Sequence, residues 1–300
     1  MIVTKAYKFR MYPNEKQRIL INKTIGCSNL VYNKLLDKKK INPKLSKYDL
    51  VSFIPGFKQE LEFLKEVDSV ALVHTAHDVT VGYNKYLSGK GGMPYFKKKG
   101  VKVSYTTNCI RSSYKSKSYA NIMVDMKNRT IVLPKLGSIK IKGYRNLKEF
   151  PFRIINATVS RAANKYYVSV VVEEDITHEY AKTYHIVGID LGIKSLVTTS
   201  SFESYGNVSS LKKHEKRIAI LQQKLAKKEK NSKNYNKFKM KLERAYLRLA
   251  NSRKKQAEEI VSKLLKENDY IVAENLQVSK MITESSSKSL RKNIIHSTFS

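Results

Sequence analysis

The stretch HIVGIDLGIKSLVTTS, residues 185–200, decides how the second half of the chain folds. It comprises an apolar strand, a tight Gly turn and a second β-branched strand. A further apolar strand, YIVAE, follows at residues 270–274. The first of these strands ends in Asp190 and the last in Glu274. Two carboxylates that each close an apolar strand can meet at one edge of a central sheet.

Paired carboxylates at a sheet edge are the arrangement by which nucleases hold Mg²⁺, because hard oxygen ligands clamp the metals that act on a phosphodiester. Two other interpretations exist for Asp190 and Glu274. A strand ending in Asp or Glu is common in proteins without any catalytic role, and Asp-x-Gly is also a phosphate-binding turn in actin-like ATPases. The ATPase requires a later Gly-rich adenosine-binding motif, and residues 211–300 contain none. Spacing alone leaves the nuclease and the structural interpretation open.

The segment between these strands is strongly basic. Residues 211–268 contain 19 Lys and Arg against 6 Glu. Apolar residues at helical spacing predict two long helices that are interrupted near NSKNYN, residues 231–236.

The whole chain is also basic, with 58 Lys and Arg against 25 Asp and Glu and a formal net charge of +33. Such a charge opposes compaction unless a polyanion neutralises it, and nucleic acid is the commonest such partner. A solvated, supercharged surface is the less favoured alternative, because the cations are interleaved with Tyr and Phe. Two distant cysteines and the absence of an 18-residue apolar run predict a soluble, cytoplasmic protein with no membrane partner.

The first half of the chain changes character near residue 100. Residues 2–10 read as a strand, and Asn14 is a plausible N-cap for a helix. More helical patterns, one of them through Leu61 and Leu64, lead to a Gly-rich basic connector at 88–100. Residues 101–174 contain about six short strands, which predicts a small barrel or a strongly curved sheet.

The connector contains an aromatic pair followed by three cations, which suits stacking on an unpaired base or gripping RNA. The alternative is that the two rings anchor the connector to a core. These residues are Tyr95, Phe96, Lys97, Lys98 and Lys99. The earlier pair Tyr32 and Asn33 fits packing on a helix face.

Motifs along almost the whole chain resemble one family in the same order. They are KAYKFRMYPNEKQ (5–17), CSNLVYN (27–33), MPYFKKK (93–99), LPKLGSIKI (133–141), NATVSRAANKYYVSVVVE (156–173), VGIDLGIKSL (187–196), NSRKKQAEEIVSKL (251–264) and IVAENLQVSKM (271–281). The chain resembles the TnpB (OrfB) family of transposon-encoded, RNA-guided DNA nucleases, relatives of the compact type V CRISPR effectors.

The resemblance implies a multidomain α+β chain. A nucleic-acid-binding lobe would occupy residues 1–180, as a β-barrel-like wedge domain (1–10 and 101–180) with an inserted helical domain (11–100). Residues 181–300 would form an incomplete RuvC domain of RNase H-like α/β fold with long basic helices. The implied partners are guide RNA and double-stranded target DNA, in the cytoplasm of a prokaryotic cell near the nucleoid.

Carried over to this chain, Asp190 matches the first RuvC carboxylate and Glu274 the second, with Mg²⁺ as the implied cofactor. The family's third ligand lies beyond a CxxC…CxxC zinc ribbon, and the sequence to Ser300 contains neither. We therefore expect no zinc in this chain and weak or absent cleavage by an incomplete site. Two alternatives remain, an active Mg²⁺-dependent endonuclease if the chain is a fragment of a longer protein, and a guide-independent nucleic-acid-binding module.

Residues 211–230 resemble the family's bridging helix, which follows a guide–target heteroduplex. A basic helix in an arbitrary protein is more often a solvated face. At this overall charge we interpret its cations, together with Arg253 in the matched motif 251–264, as phosphate contacts that position the duplex without reading its sequence. The helix cations are Lys212, Lys213, Lys216, Arg217, Lys224, Lys227 and Lys228.

Overall fold

A computed structural model describes residues 2–98, 103–114, 117–143, 153–175, 183–192, 195–207, 209–285, 287 and 291. The chain divides into two compact units, Met1–Thr177 and His178–Ser300.

The first unit combines helices with short and long strands. Its helices are α1 (Glu15–Ile41), α2 (Lys47–Ser52), α3 (Ile54–Glu60), a 3₁₀ turn (Glu62–Lys65) and α4 (Ser69–Leu87). Its strands are β1 (Ile2–Tyr12), β2 (Ser104–Asn108), β3 (Arg111–Tyr114), β4 (Lys117–Ala120), β5 (Met123–Asp125), β6 (Thr130–Leu133), β7 (Gly137–Lys142), β8 (Arg153–Ala162) and β9 (Lys165–Asp175).

Helix α1 starts where the sequence predicts, at a capping box. The Asn14 side chain accepts a hydrogen bond from the Gln17 N–H at 2.9 Å, and the Asn14 N–H donates to the Gln17 side chain at 3.0 Å. Two otherwise unpaired backbone groups are thereby satisfied. The Gln17 amide also donates to the carbonyls of Leu136 and Ser138, both at 3.0 Å. The cap therefore fastens the start of α1 to the turn before β7.

Seven strands form one sheet in the order β2-β8-β9-β1-β7-β6-β5, all antiparallel. Its inner face is apolar because alternate residues of each strand point to the same side. Phe9 and Met11 of β1, Val168 of β9 and Ile141 of β7 are buried there, against Ile21 of α1. A second apolar core holds the helices of this unit together.

The second unit has a four-stranded sheet and two long helices. Its strands are β10 (Ile186–Asp190), β11 (Ser195–Thr199), β12 (Ser204–Asn207) and β13 (Tyr270–Ala273), and its helices are α5 (Ser209–Ala226), α6 (Lys233–Glu267) and α7 (Val278–Glu284). The strand order is β12-β11-β10-β13, and β10 and β13 run parallel. Ile260 and Leu264 of α6 pack against Val187 and Leu196 of this sheet.

Helices α5 and α6 form a helical hairpin. They pack against each other through a narrow row of apolar side chains. Ile218 of α5 packs against Ala245 and Leu249 of α6, and all three are buried. The break between the helices lies at the predicted place, because the Ser232 side chain caps α6 by accepting from the Tyr235 N–H at 3.0 Å. Most of the remaining surface of both helices is left to polar and charged side chains.

The mixed α+β class is confirmed, with a curled sheet in the first unit. Residues 103–175 contain eight strands among the described residues rather than about six, because β3 to β6 are only three or four residues long. The described strands leave the seven-stranded sheet open, since β2 and β5 are its edges. The predicted helix through Leu61 and Leu64 is a 3₁₀ turn instead. No helix among the described residues is long and apolar enough to cross a membrane.

Candidate nucleic-acid interface and metal site

Asp190 ends β10 and Glu274 directly follows β13, at one end of the second sheet. In the parallel pairing of β10 with β13, Ile189 is the partner of Ala273, so the next residue of each segment is a carboxylate. Neighbouring strands of a sheet lie about 5 Å apart, so the backbones at the ends of β10 and β13 are close together. Both Asp190 and Glu274 are exposed. This edge therefore offers two neighbouring carboxylates to the solvent.

The turn after Asp190 is tight enough to require glycine. A Cβ atom on Gly192 would lie 2.8 Å from the Ser195 carbonyl oxygen, which no side chain tolerates without a shift of the backbone. Gly192 therefore lets the chain turn back from β10 directly beside the carboxylate.

The opposite end of the same two strands is held by a carboxylate latch. Asp269, just before β13, accepts hydrogen bonds from the backbone N–H groups of Thr183, at 3.0 Å, and Tyr184, at 2.7 Å. The Thr183 hydroxyl donates to the same carboxylate at 3.0 Å. These hydrogen bonds to the ionised form lower the pKa of Asp269 below its ordinary value of 3.8.

The latch predicts how the second unit responds to acid. Because the pKa of Asp269 is lower in the folded chain, its contribution to stability is complete above pH 3.8 and is lost as the pH falls through the folded pKa. We expect Asp269→Asn to lower the melting temperature at pH 7 and to flatten its fall between pH 5 and about pH 2. Thermal unfolding followed by circular dichroism measures both. Glu243→Gln, on the exposed surface of α6, is the control and should keep the wild-type acid profile.

The carboxylate pair has the right chemistry for a divalent metal but is a small donor set. Mg²⁺ prefers oxygen ligands and is held in proteins by one or two carboxylates together with water and substrate phosphates. Asp190 and Glu274 supply two such groups. Within the described parts of the chain, no cluster of three or more His, Cys, Asp or Glu side chains is placed to hold a metal ion. Asp190 and Glu274 therefore fit a metal that also needs ligands from elsewhere.

The cations predicted on the bridging helix form an exposed surface on α5 and on the turn that follows it, which contains Lys227 and Lys228. Six of the seven have described side chains, and all six are exposed: Lys213, Lys216, Arg217, Lys224, Lys227 and Lys228. Lys212 lies in α5, but its side chain is outside the described part of the chain. Lys228 also lies over the Phe238 ring of α6, 5.7 Å from the ring centre. We call these six residues the α5 basic surface.

Arg253 is differently placed. Its side chain is only 16% exposed and lies 3.8 Å from the Glu215 carboxylate, which links α6 to α5. Burial lowers the pKa of its guanidinium and the Glu215 charge raises it. The geometry gives Arg253 a contact within the helix hairpin, and its role in phosphate binding stays a prediction.

The predicted aromatic and basic segment, residues 93–98, is fastened to α1 by a residue to which the sequence assigned only packing. The Asn33 side chain binds the backbone of Lys97 twice, donating to its carbonyl at 3.0 Å and accepting from its N–H at 2.7 Å. A side-chain amide that pairs with both backbone groups of one residue fixes that residue like a strand partner. Lys99 lies outside the described residues.

The side chains of this segment combine rings with cations. The Lys97 ammonium lies 4.9 Å from the ring centres of both Tyr32 and Tyr95, and Lys40 lies 4.4 Å from that of Phe96. Tyr95 and Phe96 themselves are 63% and 44% exposed. The backbone clamp therefore anchors the segment while both aromatic rings stay accessible.

A second basic surface, which the sequence reasoning missed, lies on the outer face of the seven-stranded sheet. Arg10 of β1 stands between Lys142 of β7 and Tyr167 of β9, and Tyr12 stands beside Lys140. We call these five residues and Lys8 the basic sheet face. The Arg10 guanidinium lies 5.2 Å from the Tyr12 ring centre and 5.7 Å from that of Tyr167, and Lys8 lies 5.1 Å from the latter.

The basic sheet face carries an unfavourable pairing. Like charges directly opposite each other on neighbouring strands destabilise a sheet, and Arg10 and Lys142 are such a pair. Among the described residues, the buried Nε of Arg10 has no hydrogen-bond partner. A guanidinium stacked on rings keeps its edge available for bidentate contact with a phosphate. An anion bound between Arg10 and Lys142 would relieve the repulsion of this pair.

Two family profiles match the chain. Residues 168–284 match the OrfB family of IS605 type, described as a probable transposase, and residues 1–42 match the helix-turn-helix domain of the same family. In the structure, residues 2–41 form strand β1 and the single long helix α1 rather than two short helices. The name of that domain therefore does not describe the local structure of this chain.

Two curated relatives match over nearly the whole chain. The Escherichia coli (strain K12) protein named "Putative RNA-guided DNA endonuclease InsQ" is 28% identical over 284 residues, which are 92% of this chain and 67% of the relative. The second relative is a Streptomyces pristinaespiralis protein named "Putative RNA-guided DNA endonuclease". It is 29% identical over 93% of this chain and 69% of its own length.

A solved structure shares the fold. The chain in a cryo-EM structure of a Cas12f1–sgRNA–target DNA complex superposes with a TM-score of 0.51 at 12% identity, over 98% of this chain and 86% of that chain. The two profiles cover more than half of the sequence between them, and the relatives align from end to end of it. The chain belongs to the TnpB (OrfB) family of IS605-type transposon proteins.

Proposed function

We propose that this protein is an RNA-guided DNA-binding protein of TnpB type, in which base pairing with the guide selects the DNA and the protein holds the duplex through its backbone. The observation that supports the proposal is the parallel register of β10 and β13, because it pairs Ile189 with Ala273, the residues that directly precede the two carboxylates matching the family's motifs, Asp190 and Glu274. The names of the two curated relatives support the same activity.

In this proposal the α5 basic surface, the basic sheet face and the segment 93–98 supply the phosphate and base contacts. Six exposed cations on one helix and the turn after it are suited to a phosphate backbone, since each neutralised phosphate releases counterions. Neither basic surface reads a base edge by itself, which agrees with a protein that leaves sequence recognition to its guide RNA.

We also propose that these 300 residues bind matched DNA better than they cut it. Asp190 and Glu274 would hold Mg²⁺, which supplies charge stabilisation at the phosphodiester when it is bound. Two carboxylates leave the metal underliganded and its charge poorly compensated, and both are solvent-exposed rather than fixed by neighbours. A further acidic ligand from outside the described residues would be needed for efficient cleavage.

The test starts with the guide. RNA that copurifies with the chain expressed from its own locus is extracted and sequenced, and is then used to program the purified protein with Mg²⁺ and matched or mismatched DNA. We expect one discrete RNA, tight binding of matched DNA that requires it, and intact DNA after incubation. Asp190→Ala should bind DNA as the wild type does.

Other outcomes separate the alternatives. Double-strand breaks that Asp190→Ala abolishes would contradict the proposed weak cleavage and identify an active endonuclease. DNA affinity that does not depend on the guide RNA would contradict the guided mechanism, and would leave the protein as a guide-independent nucleic-acid-binding module.

A further inference from the structure

A pocket of about 370 Å³ lies in the first unit, between α1, α4 and the fastened segment 93–98. A site of this size accommodates a small organic ligand, whereas a single phosphate would fill only part of it. We call it the α1–α4 pocket. It is lined by Tyr32, His77, Asp78, Val81, Gly82, Lys85 and Lys97.

The lining separates into an apolar floor and charged ends. Val81 and Tyr32 provide apolar surface, and Gly82 leaves the floor open because it has no side chain. Glycine inside a helix is unfavourable by about 1 kcal/mol relative to alanine, so a position such as Gly82 in α4 calls for a reason. A Cβ atom there would meet only Pro94, at 3.4 Å, which is ordinary contact.

Two lysines contribute positive charge to the lining of the α1–α4 pocket. Lys85 is exposed, and Lys97 is held in place by the Asn33 clamp on its backbone. Both lysines line the pocket, so a ligand with a negative group is favoured there.

The remaining polar groups oppose a bare anion. Asp78 is a carboxylate whose Oδ1 lies 3.4 Å from Nδ1 of His74, and its own charge contributes, after burial, to a raised pKa of Tyr32. An inorganic phosphate beside Asp78 would be repelled. A nucleobase, in contrast, carries amino groups that a carboxylate accepts from, as well as acceptors for the Tyr32 hydroxyl and His77. The pocket thus matches a ligand with an apolar, hydrogen-bonding part and one anionic group.

We propose that the α1–α4 pocket binds a single unpaired nucleotide, with its base over Val81 and Gly82 and its phosphate at Lys85 and Lys97. The inference rests on the proposed function, since it assumes a nucleic-acid partner, and it adds a base-binding site next to the accessible rings of Tyr95 and Phe96. The site takes a base that is displaced from a duplex or lies in a loop, because the hydrogen-bonding edge of a paired base is occupied and its faces are stacked.

The test uses the full chain, freed of nucleic acid, and two octamers. All their residues are abasic except one residue of the first octamer. One octamer carries a single 2-aminopurine at its centre and the other carries no base, and both are made as RNA and as DNA. We expect the base to raise affinity about tenfold and its fluorescence to be quenched on binding. Comparison of the RNA and DNA forms shows which chain supplies the nucleotide.

Variants assign the effect to the pocket. Gly82→Leu fills the floor without changing charge, so it should bind both octamers equally and keep the wild-type dependence on salt. Gly26→Leu, at an exposed helical glycine with open space around it, is the matched control and should behave as wild type. Lys85→Ala should weaken binding of both octamers and lower the salt slope by about 0.7. Thermal unfolding checks that each variant is folded.

Equal affinity of wild-type protein for the two octamers, or an undiminished base effect in Gly82→Leu, would overturn the pocket proposal while leaving RNA-guided binding intact. Failure of the wild-type chain to bind either octamer or any guide RNA would instead overturn the proposed function, and the pocket proposal with it.

Discussion

Replacing all six cations of the α5 basic surface by glutamine should weaken binding of the guide RNA and its DNA duplex about a thousandfold at 0.15 M salt. Each phosphate contact contributes a salt slope of about 0.9, so four or more contacts account for this loss, and the slope should fall by roughly one unit for each contact removed. Glutamine keeps good helix propensity, and the buried seam of α5 and α6 is untouched. Filter binding between 50 and 400 mM salt measures both quantities.

The control must lose the same charge from another surface. Six exposed lysines outside the candidate interface serve this purpose, namely Lys16, Lys44, Lys47, Lys65, Lys90 and Lys127. Their replacement by glutamine should weaken binding by less than tenfold, because it changes only the long-range field. If both sextuple variants lose equal affinity, binding depends on net charge alone and the α5 assignment is wrong.

The largest expected effect on stability is at Phe9. Its side chain is fully buried among the strands of the seven-stranded sheet, where the backbone of Gly143 passes close to the ring. Phe→Ala substitutions at such positions cost about 3–5 kcal/mol, which is a large part of the 5–15 kcal/mol typical of a whole domain. We therefore expect Phe9→Ala to leave the first unit partly unfolded at 37 °C. Urea unfolding followed by circular dichroism gives the free energy of unfolding.

Phe202→Ala is the matched control, since this phenylalanine is 91% exposed. Its free energy of unfolding should differ from wild type by no more than about 0.5 kcal/mol. Phe9→Leu should restore most of the loss, because it refills the space with apolar volume. A Phe9→Ala variant as stable as the control would show that β1 contributes little to the core.

Local signals in the sequence predicted several features of the fold. The helix boundaries predicted at Asn14 and at NSKNYN were correct, because capping depends on residues within one turn of each other. The two strands that lead to Asp190 and Glu274 were recognised from their continuous apolar runs, but β13 is mostly exposed in the structure rather than buried, with Tyr270 at 67% and Val272 at 61%. Their parallel register was not predicted from periodicity, since pairing across 84 residues leaves no local pattern.

The features that sequence reasoning missed all depend on contacts between distant segments. Asn33 and Lys97 are 64 residues apart, and nothing near either residue indicates a clamp. The basic sheet face combines β1, β7 and β9, and no one of these strands alone indicates the combined surface. The strand register decides which side chains of neighbouring strands lie side by side, and a single sequence does not contain the register.

The central position of β1 in its sheet has a consequence for synthesis. Tyr12 pairs with Lys140 and Ile2 with Asp175, so the first strand made is among the last to find its partners. At 5–20 residues per second, β1 waits for several seconds on the ribosome while α1 to α4 form from local contacts. An unpaired β-branched strand is an aggregation hazard, and charged residues within it act as gatekeepers. Lys5, Lys8 and Arg10 thus protect the nascent chain from aggregation. In the folded protein, Lys8 and Arg10 belong to the basic sheet face.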